Sequence, residues 1–284
     1  MLFEKVAEAI IRLSQKTSFR GVGGYSHAAL SRQGVTSAFP QAEREASQFD
    51  AFFRLFETPG LANDFAGKMV LDLGSGYGGK TVEYVRTCRA REAHGIEPFE
   101  NMVTFSEAYA RKVGVTNCHF RICAHTEIPY DDCFFDAVVS HDVLEHVADP
   151  RATTGEIHRV LKPGGRAYIV FPPYHGLFSH HLDYITTIPG LHLLFPPETL
   201  IAAVNAILSS SQGERFGTFV QPAPRWSHNG KRKCLPSLNG LTGTEFRDML
   251  GRFNVLYLSQ KPHLSGRRKR LAWAWLFLAF KTAA

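Results

Sequence analysis

The chain has 284 residues, of which 44% are hydrophobic, and its formal net charge is +6. This length and apolar content supply a substantial core for one large or two small domains, without any need for covalent staples. The five cysteines are odd in number and lack paired CxxC spacing, which argues against a disulfide framework and a zinc site. We therefore expect a cytoplasmic protein in a reducing setting.

The first residues predict an amphipathic helix. Charged residues at positions 4, 5 and 8 interrupt the apolar residues too early for the core of a signal peptide. Spacings of three and four place a set of apolar residues on one helix face, namely Val6, Ala9, Ile10 and Leu13. Such a helix either packs on the core or covers a pocket as a lid.

Two basic runs, at residues 231–233 and 267–270, carry much of the excess charge. The second precedes an apolar run at 271–280, which is too short to cross a bilayer core of roughly 30 Å. Two interpretations of residues 267–280 stay open: peripheral contact with an anionic membrane, or a final strand or helix of the fold. No recognised nucleic-acid module accompanies the charge, so we expect no nucleic-acid partner.

Short apolar runs alternate with helical patterns after residue 66. The predicted strands are 69–73, 93–97, 118–123, 135–140 and 166–171, and the predicted helices are 81–88, 101–112 and 151–161. A helix over 242–252 and a strand over 254–258 resume the pattern later. This alternation predicts an α/β fold with a mostly parallel sheet and helices on both faces, which binds ligands at the carboxyl ends of its strands.

The same pattern divides the chain into four predicted segments. Residues 1–66 form a helical N-terminal cap, and residues 67–173 form the α/β core. Residues 174–240, rich in Pro, His and aromatic residues, form an insertion after the fifth strand on the substrate side. Residues 241–284 add a helix and a strand that complete the core, followed by the basic and apolar tail.

A glycine-rich turn follows the first predicted strand. It reads Asp-x-Gly-x-Gly-x-Gly from Asp72 to Gly78, and glycines let the backbone approach a ligand closely because they lack a Cβ. A dinucleotide fold needs G-x-G-x-x-G, which the sequence also admits with Gly79 as the last glycine, so a nicotinamide enzyme stays an alternative. Glu97, which ends the second strand, can accept hydrogen bonds from ribose hydroxyls in either class.

The stretch from Ile128 to Gly165 favours one of these classes. It reads IPYDDCFFDAVVSHDVLEHVADP from Ile128 and then EIHRVLKPGG from Glu156. With the glycine turn and Glu97, these motifs resemble the class I S-adenosylmethionine-dependent methyltransferases, in particular the group that includes ubiquinone and menaquinone methyltransferases. The resemblance covers residues 67–173 closely and the whole chain loosely. It implies a Rossmann-like fold, S-adenosylmethionine as cofactor, and methyl transfer to a small-molecule or lipid-linked acceptor.

The resemblance also implies how the cofactor is held. Residues 72–78 would surround its methionine part, Glu97 would hold the ribose hydroxyls, and Pro98 would border the adenine. The predicted cofactor-binding residues are Asp72, Gly74, Ser75, Gly76, Gly78, Glu97, Pro98, Ala124, His125, Thr126 and His141.

One position departs from the family pattern. Many relatives carry Gly-Asp after the third strand, where this chain has Cys123-Ala124-His125. Either the backbone of Ala124 and His125 or the Thr126 hydroxyl replaces the aspartate, or cofactor binding weakens by on the order of 1 kcal/mol.

Acidic and histidine residues follow the fourth predicted strand. His146 is the candidate general base because an imidazole is poised near physiological pH, and Asp142 is the second candidate catalytic residue. Alternatively, Glu145 and His146 simply begin a helix. Asp142, Glu145 and His146 would share one helix face. Similar groups hold a divalent metal in some ubiquinone-pathway O-methyltransferases, but the shorter aspartate here leads us to expect no metal.

The predicted insertion supplies an aromatic and hydrogen-bonding lining for a phenol, quinol or sugar acceptor: Tyr174, His175, His180, His181, Asp183 and Tyr184. Two other functions remain as alternatives. The first is a nicotinamide-dependent oxidoreductase. Against it, the chain lacks the Tyr-x-x-x-Lys pair of the short-chain class, and this function leaves residues 128–165 unexplained. A non-catalytic scaffold with the methyltransferase fold is supported only by the altered Cys123-Ala124 and the basic C-terminus.

Overall fold

A seven-stranded sheet organises the chain in the computed structural model. The structure describes residues 2–18, 38–56, 60–177, 179–182, 186, 188–209, 238–261 and 274–280. The basic runs at 231–233 and 267–270 lie outside these residues, as do Asp183 and Tyr184 of the predicted acceptor lining.

Strands and helices alternate through the core as the apolar pattern predicts. The strands are β1 (Met69–Leu73), β2 (Glu92–Glu97), β3 (Cys118–Ile122), β4 (Phe135–His141), β5 (Leu161–Phe171), β6 (Asn254–Lys261) and β7 (Ala274–Phe280). The helices are α1 (Leu2–Ser18), α2 (Phe39–Ser47), α3 (Phe49–Leu55), α4 (Gly79–Arg86), α5 (Glu100–Lys112), α6 (Pro150–Val160), α7 (Leu191–Leu194), α8 (Pro197–Leu208) and α9 (Gly243–Met249). Short 3₁₀ helices span Leu61–Phe65 and Leu250–Arg252.

The sheet has the strand order β3-β2-β1-β4-β5-β7-β6. Strands β1 to β5 pair in parallel, and β7 pairs antiparallel with both β5 and β6. All five residues of β1 are buried, because β1 is central and both of its faces are covered. The predicted Rossmann-like architecture, a mostly parallel sheet with helices packed on it, is confirmed.

The apolar run near the C-terminus contributes strand β7. Residues 274–280 lie between β5 and β6, with Phe280 opposite Arg166 on one side and opposite Asn254 on the other. This pairing supports the interpretation of a final strand over that of a membrane-seated helix. In the described part of the chain, no helix has the length and apolar character that a membrane span needs.

The N-terminal helix α1 packs against α8, which belongs to the predicted insertion. Among its described side chains, Ala7 and Ile11 are buried, and they join Leu200 and Val204 in one apolar cluster. The helix face predicted from the sequence is wrong, because Val6 is 43% exposed. The spacing correctly predicts a helix, but the face that packs against α8 lies one residue further along the chain.

Residues 142–147 form turns after β4, and the next helix begins at Pro150. The Asp149 carboxylate accepts hydrogen bonds from the backbone N–H groups of Arg151 and Ala152, which caps α6 at its first turn. Pro150 suits the first helical position because it needs no N–H partner there. The expectation that Asp142, Glu145 and His146 share a helix face is therefore wrong.

Asn239 anchors this turn from the other end of the chain. Its side-chain amide donates to the carbonyl oxygens of Leu144 and Val147 at 2.6 and 2.9 Å, and its side-chain oxygen accepts the Leu241 N–H at 2.9 Å. The Asn239 N–H donates to the Glu145 carbonyl at 2.9 Å. The side chain is 1% exposed, so these groups cannot turn to water instead.

We predict that Asn239→Ala lowers the free energy of unfolding by roughly 2 to 4 kcal/mol, because it leaves several buried backbone groups without partners. Urea unfolding monitored by circular dichroism measures this change. Asn205→Ala is the matched control: Asn205 is exposed on α8 and its replacement should change the free energy by less than about 0.5 kcal/mol. Equal stability of the two variants would contradict the assigned role of Asn239.

Candidate active site

The glycine-rich turn after β1 contacts the turn after β4. Gly74 has φ +76°, and a Cβ placed on it would lie 2.3 Å from Cγ2 of Val143. A side chain at this position would therefore displace Val143 and the turn that carries Glu145 and His146. The absence of a Cβ at Gly74 thus brings the predicted cofactor loop and the predicted catalytic turn together.

Helix α2 contacts the glycine turn from the other side. A Cβ on Gly79 would lie 2.0 Å from the carbonyl oxygen of Ala42. The carboxylate of Glu45 accepts hydrogen bonds from the backbone N–H groups of Tyr77 and Gly79, at 3.1 and 3.0 Å. Glu45 was not predicted from the sequence, because its spacing does not distinguish it from the exposed Glu43 two residues earlier.

Glu97 lies at the carboxyl end of β2 and is 7% exposed. Its carboxylate accepts a hydrogen bond from the Gly76 N–H at 3.3 Å, which joins the end of β2 to the glycine turn. Burial, followed by the neighbouring charges of Glu45 and Asp72, raises the pKa of Glu97 to about 7. Predicted residues from two different strands therefore meet at one edge of the sheet.

Two further carboxylates share this region. Burial raises the pKa of Glu45 to about 7, although two backbone N–H groups and Lys80 act in the opposite direction. Asp72 is buried and accepts the Thr81 hydroxyl at 2.6 Å, and burial raises its pKa as well. A ligand that offers hydroxyl donors or a positive charge would stabilise the ionised forms of these groups.

His125, which follows β3, adds an imidazole to this region. From the sequence, only its backbone was expected to contact the cofactor. His125 has φ +67° and is 6% exposed, and burial lowers its pKa to about 4. Its Nε2 is buried without a hydrogen-bond partner, and so is Oγ of Ser75 in the glycine turn. Such unsatisfied buried atoms fit a site that a polar ligand completes. The other predicted residues here differ in exposure, since Ala124 is exposed and Thr126 half-buried.

His141, predicted to bind the cofactor, is held by the elements around it. The Lys80 ammonium donates to its Nδ1 at 2.6 Å, and the Phe52 ring centroid lies 5.2 Å from the imidazole. Its Nε2 lies 3.6 Å from the Asp142 carboxylate. Pro98, predicted to border the adenine, is exposed beyond the end of β2.

Glu145 is the most constrained acid of the catalytic turn. It is 4% exposed, and both of its carboxylate oxygens are buried without a hydrogen-bond partner. Its Oε1 lies 3.8 Å from Nε2 of His146 and 3.8 Å from Nε2 of His181, and the two imidazole centroids are 4.9 Å apart. Burial, with the nearby Asp142 charge, raises the pKa of Glu145 well above its usual range. Burial likewise lowers the pKa of His181 to about 3.

A narrow cavity opens beside Glu145, lined by Pro172, Tyr174, Ser179, His180, His192, Leu238, Gly240 and Leu241. His180 serves the fold, because its Nδ1 accepts the Leu182 N–H and its Nε2–H donates to the Ile188 carbonyl. His192 donates Nε2–H to the Tyr174 carbonyl at 2.7 Å, while its buried Nδ1 has no partner. The Nδ1 atom of His192 can therefore accept a hydrogen bond from a ligand. The sequence did not predict this role, because His192 lies in an apolar stretch.

Comparison with known proteins identifies the core. A family model described as a methyltransferase domain matches residues 71–169. An uncharacterised methyltransferase of Schizosaccharomyces pombe is 36% identical over 102 residues, which cover 34% of this chain and 37% of that protein. A ubiquinone biosynthesis O-methyltransferase of Methylococcus capsulatus is 26% identical over 209 residues, covering 73% of this chain and 79% of that protein.

A solved structure agrees with this match at the level of the fold. A S-adenosylmethionine-dependent methyltransferase of Methanosarcina mazei superposes with a TM-score of 0.55 at 22% identity, covering 80% of this chain and 99% of its own. The matched residues 71–169 include the glycine turn, Glu97 and the turn after β4. Residues 71–169 therefore match a methyltransferase domain, and these similarities support a class I S-adenosylmethionine-dependent methyltransferase with S-adenosylmethionine as cofactor.

Proposed function

We propose that the protein transfers a methyl group from S-adenosylmethionine to a hydroxyl group of a small-molecule or lipid-linked acceptor. The observation that supports this proposal is the contact between Gly74 and Val143: the turn that carries Glu145 and His146 packs against the glycine turn, which is proposed to hold the cofactor. An acid and an imidazole beside a methyl donor are the groups that a hydroxyl acceptor requires, because its proton must be removed.

The bound cofactor would supply the electrophilic methyl group and its leaving group. In this proposal Glu97 accepts hydrogen bonds from the ribose hydroxyls, and the orphaned Ser75 hydroxyl and His125 imidazole supply further polar contacts. Glu45 holds the glycine turn in place through Tyr77 and Gly79. These residues are proposed to bind and orient the cofactor.

His146 is the proposed general base. Its side chain is 35% exposed, so an acceptor can reach it, while Glu145 beside it is buried. A proton taken up by His146 creates a positive charge 3.8 Å from the Glu145 carboxyl group, and that charge favours the ionised carboxylate. Asp142, whose charge also acts on Glu145, is proposed to tune this pair without contacting the acceptor.

The cavity beside Glu145 has a volume of about 20 Å³, which is room for a single hydroxyl group of an acceptor and not for the whole molecule. The unpartnered Nδ1 of His192 can accept a hydrogen bond from this hydroxyl group, and Tyr174 and Leu238 offer aromatic and apolar surface. The Methylococcus capsulatus relative is named for O-methylation in ubiquinone biosynthesis, which is consistent with a phenol or quinol acceptor here.

We predict that Glu97→Ala weakens S-adenosylmethionine binding by roughly 100-fold, because two hydrogen bonds to a charged acceptor are lost. Isothermal titration calorimetry measures the affinity. Glu100→Ala, which removes an exposed acid at the start of α5, is the matched control and should bind like the original protein. Unchanged affinity in Glu97→Ala would remove this residue from the cofactor site.

The affinity for S-adenosylmethionine measured in this titration should depend on pH. Because the folded pKa of Glu97 is raised to about 7, its ionised form is lost as the pH falls from 8 to 6. We therefore expect affinity to fall by up to roughly tenfold over this range. Glu97→Gln should show a smaller fall, since it removes one of the two described carboxyl groups, Glu97 and Glu45, whose pKa is raised to about 7. A steeper dependence in Glu97→Gln than in the original protein would contradict the assignment.

We predict that His146→Ala lowers kcat by about 100-fold or more and leaves cofactor affinity unchanged, because it removes only proton transfer. Transfer of labelled methyl groups to a panel of phenols, quinols and matched amines measures this change and identifies the acceptor atom. His158→Gln is the control, since His158 contacts Phe253 away from the site. Full turnover in His146→Ala would exclude it as the base, and methylation of amines alone would contradict a hydroxyl acceptor.

A further inference from the structure

A second group of potential metal ligands lies on β2 and β3, at one edge of the sheet. Glu92 and His94 are two residues apart on β2 and so face the same side of the sheet. His119 on β3 is the register partner of His94. One carboxylate and two imidazoles therefore meet through strand pairing.

The distances within this group suit a tetrahedral metal. The same Oε2 of Glu92 lies 3.3 Å from Nε2 of His94 and 3.5 Å from Nε2 of His119. Zinc bonded to nitrogen and oxygen at about 2.0 to 2.1 Å in tetrahedral geometry places its ligand atoms about 3.3 to 3.4 Å apart. All three potential ligand atoms lie within 4.8 Å of one another. The two distances from Glu92 thus already match those of a tetrahedral site.

The surroundings of His94 hold its ring for this purpose. Nδ1 of His94 lies 3.0 Å from the Tyr130 hydroxyl, which leaves Nε2 directed at Glu92. A hydrogen bond on the second nitrogen is the usual way in which a metal-binding histidine is oriented. His94 is 6% exposed, whereas the side chain of His119 is 48% exposed, so an ion could enter from the His119 side. Arg121, a cation near Tyr130, is engaged by the Tyr130 ring and the Pro129 carbonyl.

We propose that Glu92, His94 and His119 form a binding site for a divalent transition metal, with zinc as the best match to two imidazoles and one carboxylate. Glu92 begins β2 and Glu97 ends it, so this site lies at the opposite end of the strand from the predicted cofactor site. A bound ion would tie the edge strand β3 to β2. The site does not depend on the proposed methyl acceptor.

The expectation of no metal was based on the cysteines and on the histidines near the predicted acceptor site. It did not consider this group, because His94 and His119 are 25 positions apart and become neighbours only through the register of β2 and β3. A second set of three potential ligands, Glu145, His146 and His181, lies in the catalytic region. The test must therefore separate the two groups.

We predict that the full-length protein binds one equivalent of Zn²⁺, measured by calorimetry with the metal alone, and that His119→Ala and Glu92→Gln each weaken binding by at least about tenfold. His181→Ala should bind zinc with unchanged affinity. Co²⁺ bound to the original protein should give the visible absorption of a tetrahedral site, and His119→Ala should lose it.

Circular dichroism checks that His119→Ala is folded, and Glu92→Gln provides a second variant with nearly the same side-chain volume. The proposal is overturned if no saturable binding occurs, or if zinc binding survives both variants. It is also overturned if binding is lost only in His181→Ala, which would place the ion in the catalytic region. In the first case Glu92 serves only as a hydrogen-bond partner of His94.

Discussion

The backbone between Leu73 and Gly79 is contacted from two sides, and this close approach shapes the predicted active site. Val143 occupies the space that a Cβ of Gly74 would need, and the carbonyl of Ala42 occupies that of Gly79. A turn that follows β4 and a helix from the N-terminal segment therefore both pack directly on the turn that follows β1. Larger residues at either glycine would separate these elements by the width of a side chain.

Buried carboxyl groups give this region its chemical character. Glu45, Asp72 and Glu97 are held by backbone N–H or hydroxyl donors, yet burial raises the pKa of each, and neighbouring carboxylates raise the pKa of Glu45 and Glu97 further. A sulfonium compound with a ribose offers what these groups lack, a positive charge and hydroxyl donors. The Gly74 contact and the Asn239 hydrogen bonds then place Glu145 and His146 next to the same site. In the proposed function, cofactor binding and proton removal would thus depend on one set of backbone contacts.

The sequence was sufficient to predict the core strands. Buried parallel strands read as short apolar runs, so β1 was predicted with its observed bounds and β2 to β4 within one residue. The glycine turn marked the end of β1, but β5 begins at Leu161, five residues before its predicted start, and contains the Pro-Gly-Gly segment that was predicted as a turn. The turn after β4 was predicted less well, because Asp142, Glu145 and His146 have helical spacing, while the capping by Asp149 starts the helix only at Pro150.

Residues that meet through tertiary structure could not be predicted. Glu45 reaches the glycine turn across 32 positions, and Asn239 reaches Leu144 across 95. His192 acquires its free nitrogen only because the Tyr174 carbonyl takes the other one. Strand register, which pairs His94 with His119, is likewise set by the sheet and not by local spacing.

Calorimetric titration of the purified protein with S-adenosylmethionine and, separately, with NADH tests the central claim most directly. Both ligands carry ribose hydroxyls, but only S-adenosylmethionine combines them with a sulfonium charge. We expect saturable binding of S-adenosylmethionine and none of NADH. Binding of NADH alone, or of neither ligand, would contradict the account of the site.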